Sequence, residues 1–223
     1  MKYLSCFTDE AGEQNMHAGY YIATLVFHDQ SQSISEYIER YMNRLSKEDL
    51  PDIPFHGVDL LHGHDSYENM SVADRKRLLV AFAMFVRTLP VSFHSFIYKR
   101  SNVHSSQELE AYLRRDIVNF VFEHLEKFQS FDIVAIYYDD GHQAVSSALH
   151  GAFDYALSKN AIVYKELSHK EKRLAQVADY LCTLTLAQMR FEENSESKTY
   201  SRFFGTQRNL KQNYLKQVQK KRI

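Results

Sequence analysis

Apolar positions along this chain fall into short continuous runs and longer interrupted ones, and the two kinds alternate in a readable order. Residues 2–8 ("KYLSCFT") and 19–27 ("GYYIATLVF") are rich in aromatic and β-branched side chains and are separated by a polar turn with Gly12. They predict an antiparallel strand pair. Residues 91–99 ("VSFHSFIYK"), 132–138 ("DIVAIYY") and 161–166 ("AIVYKE") are runs of the same kind and predict three more strands. Helix-length segments with apolar residues three and four apart occupy 32–47, 71–88, 106–129, 143–157 and 171–191. Ser71 is placed to cap the second of these, with Asp74 three residues on, and Pro90 ends it. Residues 51–66, with Pro51, Pro54, Gly57 and Gly63, read as a loop.

Leaving residues 32–88 aside, the order is β, β, β, α, β, α, β, α. Strand and helix alternate in the later half, which calls for parallel strands covered by helices. The expected fold is α/β: a mixed five-stranded sheet with helices on both faces and a helical and loop insertion, about residues 30–90, between strands 2 and 3. Continuous apolar runs belong to the middle of such a sheet, so the strands at 2–8 and 132–138 should be neighbours. Ligand sites in open α/β sheets gather at the carboxyl ends of central strands. Asp9, in "FTDEAG", and Asp139, in "IYYDDGH", both stand at such ends. Neighbouring strands lie roughly 4.8 Å apart, which would bring the two carboxylates face to face. Asp140 would point to the opposite side and cap the next helix. No Ser/Gly/Pro-rich linker divides the chain, so residues 1–205 read as one domain followed by a tail over 206–223.

The helix around "KRLAQVADYLCTLTLAQMRF" is apolar almost all round, apart from a narrow stripe of Gln176, Asp179 and Thr183. Asp179 is either a partly desolvated third acid at the same end of the sheet or a hydrated residue on the solvent face. Glu110, on the apolar side of the helix at 106–129, is a fourth candidate, although helix N-termini favour acids in any case. Several carboxylates within ~4–6 Å of one another ionise together only if a cation neutralises them. Oxygen ligands without sulfur select Mg²⁺ or Mn²⁺. Two such ions activate a water and stabilise the leaving oxygen in phosphodiester cleavage. A proton-sharing Asp pair is the other use of such acids, but it needs no third member.

Charge refines this picture. The formal net charge is -1, yet the tail "TQRNLKQNYLKQVQKKRI" carries six Lys and Arg and no acid, leaving about -7 on the rest. The tail reads either as a phosphate-contacting element or as a solvated helix packed through Leu210, Tyr214, Leu215 and Val218. Cys6 and Cys182 make no disulfide framework and read as core residues of a reduced, cytoplasmic protein. No window approaches the ~20 apolar residues needed to cross a membrane. The loop "FHGVDLLHGHDSYE" gathers His56, Asp59, His62, His64 and Asp65 in a spacing unsuited to structural zinc. His56 either approaches the acids from this loop or is a surface residue. His142, three residues beyond Asp139, either orients a water or starts the next helix. Elbow serines, HExxH, phosphate-binding and dinucleotide glycine motifs are absent from the sequence.

The strand order and the three acids resemble the ribonuclease H-like fold. The segments "FTDEAG", "FHGVDLLHG", "IYYDDGH" and "LAQVADYL" are similar to the signatures of the family known as domain of unknown function 3800. The similarity spans residues 3 to about 186, with Ala175 where that family has Leu. It implies metal-binding carboxylates at Asp9, Asp139 and Asp179, with Glu10 matching the second acid of the turn and Gln176 the helical glutamine. The expected function is a metal-dependent nuclease acting on RNA or DNA. Glu10 or Glu110 completes the metal shell, and Gln176, His56, Lys99, Arg100 and the basic tail meet the substrate. The rivals are a non-catalytic nucleic-acid or protein-binding module on the same fold, and a metal-dependent phosphatase acting on small phosphates.

Overall fold

The computed structural model describes residues 1–12, 19–138, 143–157, 162–166 and 172–223. Five strands, β1 (Tyr3–Gly12), β2 (Tyr20–Asp29), β3 (Ser92–Lys99), β4 (Ile133–Tyr138) and β5 (Ile162–Glu166), form one sheet in the order β3-β2-β1-β4-β5. The β1/β2 and β2/β3 pairs are antiparallel, and the β1/β4 and β4/β5 pairs are parallel. This is the mixed, ribonuclease H-like arrangement, with β1 at its centre and β4 beside it as expected. The β1/β4 register runs to Thr8↔Tyr138, the residues that immediately precede Asp9 and Asp139.

Both faces of the sheet are covered, which is why its strands are apolar on both sides. In β2 the eight residues from Tyr21 to His28 are all buried. On one face α4 (Ser106–Glu123) and α6 (Gln143–Ala156) pack together over Leu4, Cys6, Leu25 and Phe27. On the other face α7 (Arg173–Glu192) lies across β1 and β2, over Phe7, Val26 and Tyr137. The insertion contributes α1 (Ser35–Lys47), α2 (Gly57–His62) and α3 (Val72–Thr88) to that same layer. Phe55 stacks on Phe82 of α3 at 4.4 Å, and Tyr180 of α7 meets both edge-on. The insertion is therefore part of the core: burying each such ring contributes roughly 1.5–3 kcal/mol.

Local signals hold where they were strong. Ser71 Oγ accepts from the Asp74 N–H at 3.1 Å and donates to the Asp74 carboxylate at 2.7 Å. Two expectations need correcting. The segment read as one helix over 106–129 breaks at His124 (φ -116°, ψ 23°), beyond which α5 (Leu125–Gln129) begins. The break lets Phe120 and Phe128 both reach Phe27, at 5.7 and 5.5 Å. The stretch read as a loop over 51–66 contains α2 and a single helical turn at Asp65–Tyr67.

After α8 (Lys198–Phe204), a helical segment over 207–218 returns along α7. Leu210, Tyr214 and Val218 are buried there and Leu215 packs partly against the same core. The tail thus has a packed side, and its last residues are pinned too. Arg222 bridges Phe93 in parallel, and the Ile223 N–H donates to the Phe93 carbonyl at 3.0 Å.

Candidate functional site

Strand alternation places Asp9 on the Phe7 side of β1, facing α7, and Glu10 on the opposite side. The polar stripe of α7 is not a solvent face: Gln176, Asp179 and Thr183 are 2%, 6% and 6% exposed. A cavity of about 510 Å³ opens where β1 ends. Asp9, Glu10 and Asp179 line it together with His56 and His62 of the insertion, Arg100 just after β3, and Arg190 further along α7. Two arginines therefore stand with three carboxylates at the carboxyl end of the sheet.

Asp179 owes its burial to the insertion above it. The Gly57 N–H, at the start of α2, faces both carboxylate oxygens at 3.1 Å each, and Thr183 Oγ1 donates to Oδ1 at 3.2 Å. The carboxylate is a cap supplied by a distant helix, in the position where a helix dipole favours negative charge. Gly57 is required for the approach. A Cβ on it would stand 1.9 Å from Thr183 Oγ1 and 2.8 Å from Asp179 Oδ1.

Two residues earlier the Phe55 N–H donates to Gln176 Oε1 at 3.2 Å, and Arg173 donates to the same oxygen at 3.2 Å. Alternate N–H groups of an extended segment point the same way, and side chains three apart on a helix share a face. Gln176 and Asp179 thus hold Phe55 and Gly57 as a matched pair. The intervening His56 N–H turns to Tyr67 Oη at 3.3 Å, and that hydroxyl donates to the Pro54 carbonyl at 2.9 Å.

Glu10 accepts from Tyr138 Oη at 2.6 Å. Burial, then the Glu10 carboxylate, push the Tyr138 hydroxyl far above the usual tyrosine range. The Tyr21 hydroxyl is pushed up the same way, by burial first and then by the nearby Glu10 carboxylate. Arg100, itself buried, stacks on the Tyr21 ring at 4.9 Å. Beneath the cavity floor, Cys182 Sγ donates to the Asp9 carbonyl at 3.1 Å. Its thiol is raised well above its ordinary value by burial first, then by the charges of Asp9, Asp179 and Glu10. The thiol therefore lies within electrostatic reach of the three acids that line the cavity. With that thiol engaged by a backbone carbonyl, the side-chain donors the cavity offers are the carboxylates of Asp9, Glu10 and Asp179 and the imidazoles of His56 and His62.

The remaining sequence-derived candidates are placed as follows. His56, half-exposed, lines the cavity and its Nδ1 pairs with Asp59 Oδ2 at 2.9 Å. Gln176 faces the insertion backbone instead of the cavity, because burial leaves its carbonyl to Phe55 and Arg173. Lys99 turns outward to Glu193 at 2.6 Å. Glu110 is not brought to the cavity: it accepts from Ser147 Oγ of α6 and lines a separate depression with Arg114 and Tyr155. Asp139, Asp140 and His142 lie outside the described residues. Among the described residues no three His, Cys, Asp or Glu side chains stand close enough together to hold an ion. Arg190 and His62 were not foreseen as site residues. For Arg190 a signal existed, since Asp179, Thr183, Leu186 and Arg190 repeat every three or four residues along one face of α7.

No family model and no curated protein matches the chain. Among solved structures it is similar to the crystal structure of the ribonuclease H2 from Pyrococcus horikoshii OT3, over 99% of this chain and 98% of that one, at 11% identity and a TM-score of 0.37. No helix among the described residues is long and apolar enough to cross a membrane. The fold assignment rests on the order and direction of the five strands.

Proposed function

We propose that the chain is a metal-dependent nuclease of the family known as domain of unknown function 3800, cleaving phosphodiester bonds in the cavity at the carboxyl end of β1. The observation that carries this reading is that Asp9, Glu10 and Asp179 line one cavity together with Arg100 and Arg190. Asp9 and Asp179, with Asp139 from the end of β4, would hold Mg²⁺ or Mn²⁺. Such an ion supplies a water of lowered pKa and neutralises charge developing on the phosphate oxygens.

The chain's own groups do the rest. Asp179 keeps lone pairs beyond the bonds from Gly57 and Thr183, because a carboxylate offers about four acceptor positions. Arg100 and Arg190 bind the non-bridging oxygens of the scissile phosphate, and their guanidinium planes suit that geometry. Glu10, between Tyr21 and Tyr138, fixes the strand end and repels a misplaced phosphate. His56, oriented by Asp59, accepts or returns a proton at the cavity mouth.

Calorimetric titration of Mn²⁺ into wild type and an Asp9→Asn, Asp139→Asn variant tests the reading, paired with cleavage of single-stranded RNA and DNA. Binding and cleavage should both vanish in the variant. Wild type that takes up no Mn²⁺ with an oligonucleotide present, or cleavage indifferent to chelator, would overturn it.

A further inference from the structure

At the other end of the sheet, the start of β1 and β3, the end of α3, α5 and the C-terminal segment enclose an open depression of about 860 Å³. Arg87, Lys127, Lys216, Lys220 and Lys221 line it, and Asp29 is the only carboxylate among the described lining residues. Asp29 accepts the Ser31 N–H at 2.9 Å within its own turn. None of the five cations is ion-paired among the described residues.

Two of these cations are held in place by hydrogen bonds. Lys127 is half-buried, donates to Ser92 Oγ at 2.8 Å and lies 5.7 Å over the Phe27 ring. Lys221 donates to the Leu89 carbonyl. Burial lowers both ammonium groups below the usual lysine range, so each carries a desolvation cost that a bound anion offsets. Lys216 and Lys220 sit one helical turn apart, where like charges repel. The tail that carries them is anchored by Leu210, Tyr214, Val218 and the pairing of Arg222 with Phe93. The fold thus gathers five cations around one depression that holds a single acid among its described lining residues.

We propose that this depression is a second phosphate-binding site, taking the sugar-phosphate backbone of a nucleic-acid strand at the end of the sheet remote from the acidic cavity. A net excess of four positive charges exceeds what one carboxylate or monophosphate balances. Repeated lysine point charges suit repeated phosphates, and their contacts position a strand without reading its sequence. An acidic peptide is the poorer occupant, because the start of the edge strand β3 beside the depression is already paired by Arg222 and Ile223. The inference stands whether or not the acidic cavity cleaves its substrate.

The test is fluorescence anisotropy of a labelled single-stranded oligonucleotide with the full chain in chelator, across a salt series. Wild type is compared with Lys216→Gln, Lys220→Gln, both exposed positions, and with a control of equal charge change, Lys47→Gln, Lys76→Gln. The first variant should bind at least about tenfold more weakly at low salt. Its slope of log K against log salt should fall by about 1.4, two contacts at about 0.7 each, while the control keeps the wild-type slope. Tripolyphosphate that displaces the oligonucleotide supports the same site; tripolyphosphate that binds where the oligonucleotide does not would overturn the nucleic-acid occupant in favour of a free polyphosphate. An unchanged Lys216→Gln, Lys220→Gln variant, an equal loss in the control, or binding of polyglutamate alone would overturn the proposal.

Discussion

The two ends of the sheet are finished from the same strands and carry opposite charge in opposite ways. At the carboxyl end of β1 the acids are partnered: Asp179 by Gly57 and Thr183, Glu10 by Tyr138, with Arg100 and Arg190 beside them. At the start of β1 the cations stand around an open depression with one acid already engaged in a turn. Roughly 17 Å of strand, at about 3.4 Å per residue, separates Leu4 at one end from Asp9 at the other. Charges fixed by hydrogen bonds in a partly dry cavity need no reorganisation during a reaction. Open charges attract a polyanion but are screened within a Debye length of about 8–10 Å. The comparison teaches that acid and base are separated by task as well as by distance.

The largest expected effect breaks the comparison along that line. Asp9→Asn should lower metal-dependent cleavage on the order of 10³-fold, the scale of losing an electrostatic stabiliser of the transition state. Its oligonucleotide affinity in chelator should stay at the wild-type value. The Lys216→Gln, Lys220→Gln variant should do the reverse at saturating substrate, keeping kcat and raising KM. Single-turnover and steady-state kinetics on the same oligonucleotide separate the two. Equal losses of kcat and affinity in both variants would mean that the ends act as one site.

The acidic end was the more legible of the two. Asp9 follows an apolar strand, and Asp179 interrupts an apolar helix, so each acid announces itself against a simple background. The sheet order follows from five short runs and their spacing for the same reason. The structure of the insertion was hidden because α2 takes its N-terminal partner from Asp179, 122 residues away. No local pattern in "PFHGVDLLHG" reports that. The break at His124 is likewise set by where Phe27 sits, not by the helix's own residues. At the basic end the tail's charge was plain, but Arg87 and Lys127 come from two other helices, and only the tertiary fold brings them to it. Gln176 and Glu110 misled because polar residues at regular helical spacing look alike whether they meet a ligand, a backbone amide or a serine.

Within the acidic end, Gly57 sets the next scale. Gly57→Ala puts a methyl group into Thr183 Oγ1 and against Asp179, and overpacking of this kind costs about 3 kcal/mol. Removing the obstructing hydroxyl with Thr183→Ala should recover part of that loss, giving a favourable coupling in a double-mutant cycle of urea unfolding. Strictly additive losses would mean that the insertion lifts away from α7 instead of clashing with it. Gln176→Leu leaves the buried Phe55 N–H without its acceptor and should cost about 2 kcal/mol with Mn²⁺ affinity unchanged. Asp179→Asn keeps a carbonyl for Gly57, so it should destabilise less than Gln176→Leu while removing Mn²⁺ binding. The pair sorts anchor from ligand along one helical face.

The smallest effect tests whether the basic end is strained when empty. Burial lowers the Lys127 pKa in the folded chain, whereas in the unfolded chain it returns to about 10.4. Between the lowered value and about 10.4 the unfolded state binds more protons, so the Lys127 contribution to stability rises with pH across that window. Below it the folded chain carries the full cost of a desolvated ammonium. Lys127→Met keeps the stem over Phe27 and removes that charge. The difference in stability between wild type and Lys127→Met should therefore move in favour of wild type as pH rises from 7 toward 10. Measuring the difference cancels the raised tyrosines, which act oppositely in both chains above pH 10. Lys127 lines the same depression, so a saturating oligonucleotide should flatten the profile by setting phosphate charge against the desolvated ammonium. A difference that stays constant from pH 7 to 10 would mean that solvent already screens Lys127, and that the basic end stores no cost for an anion to relieve.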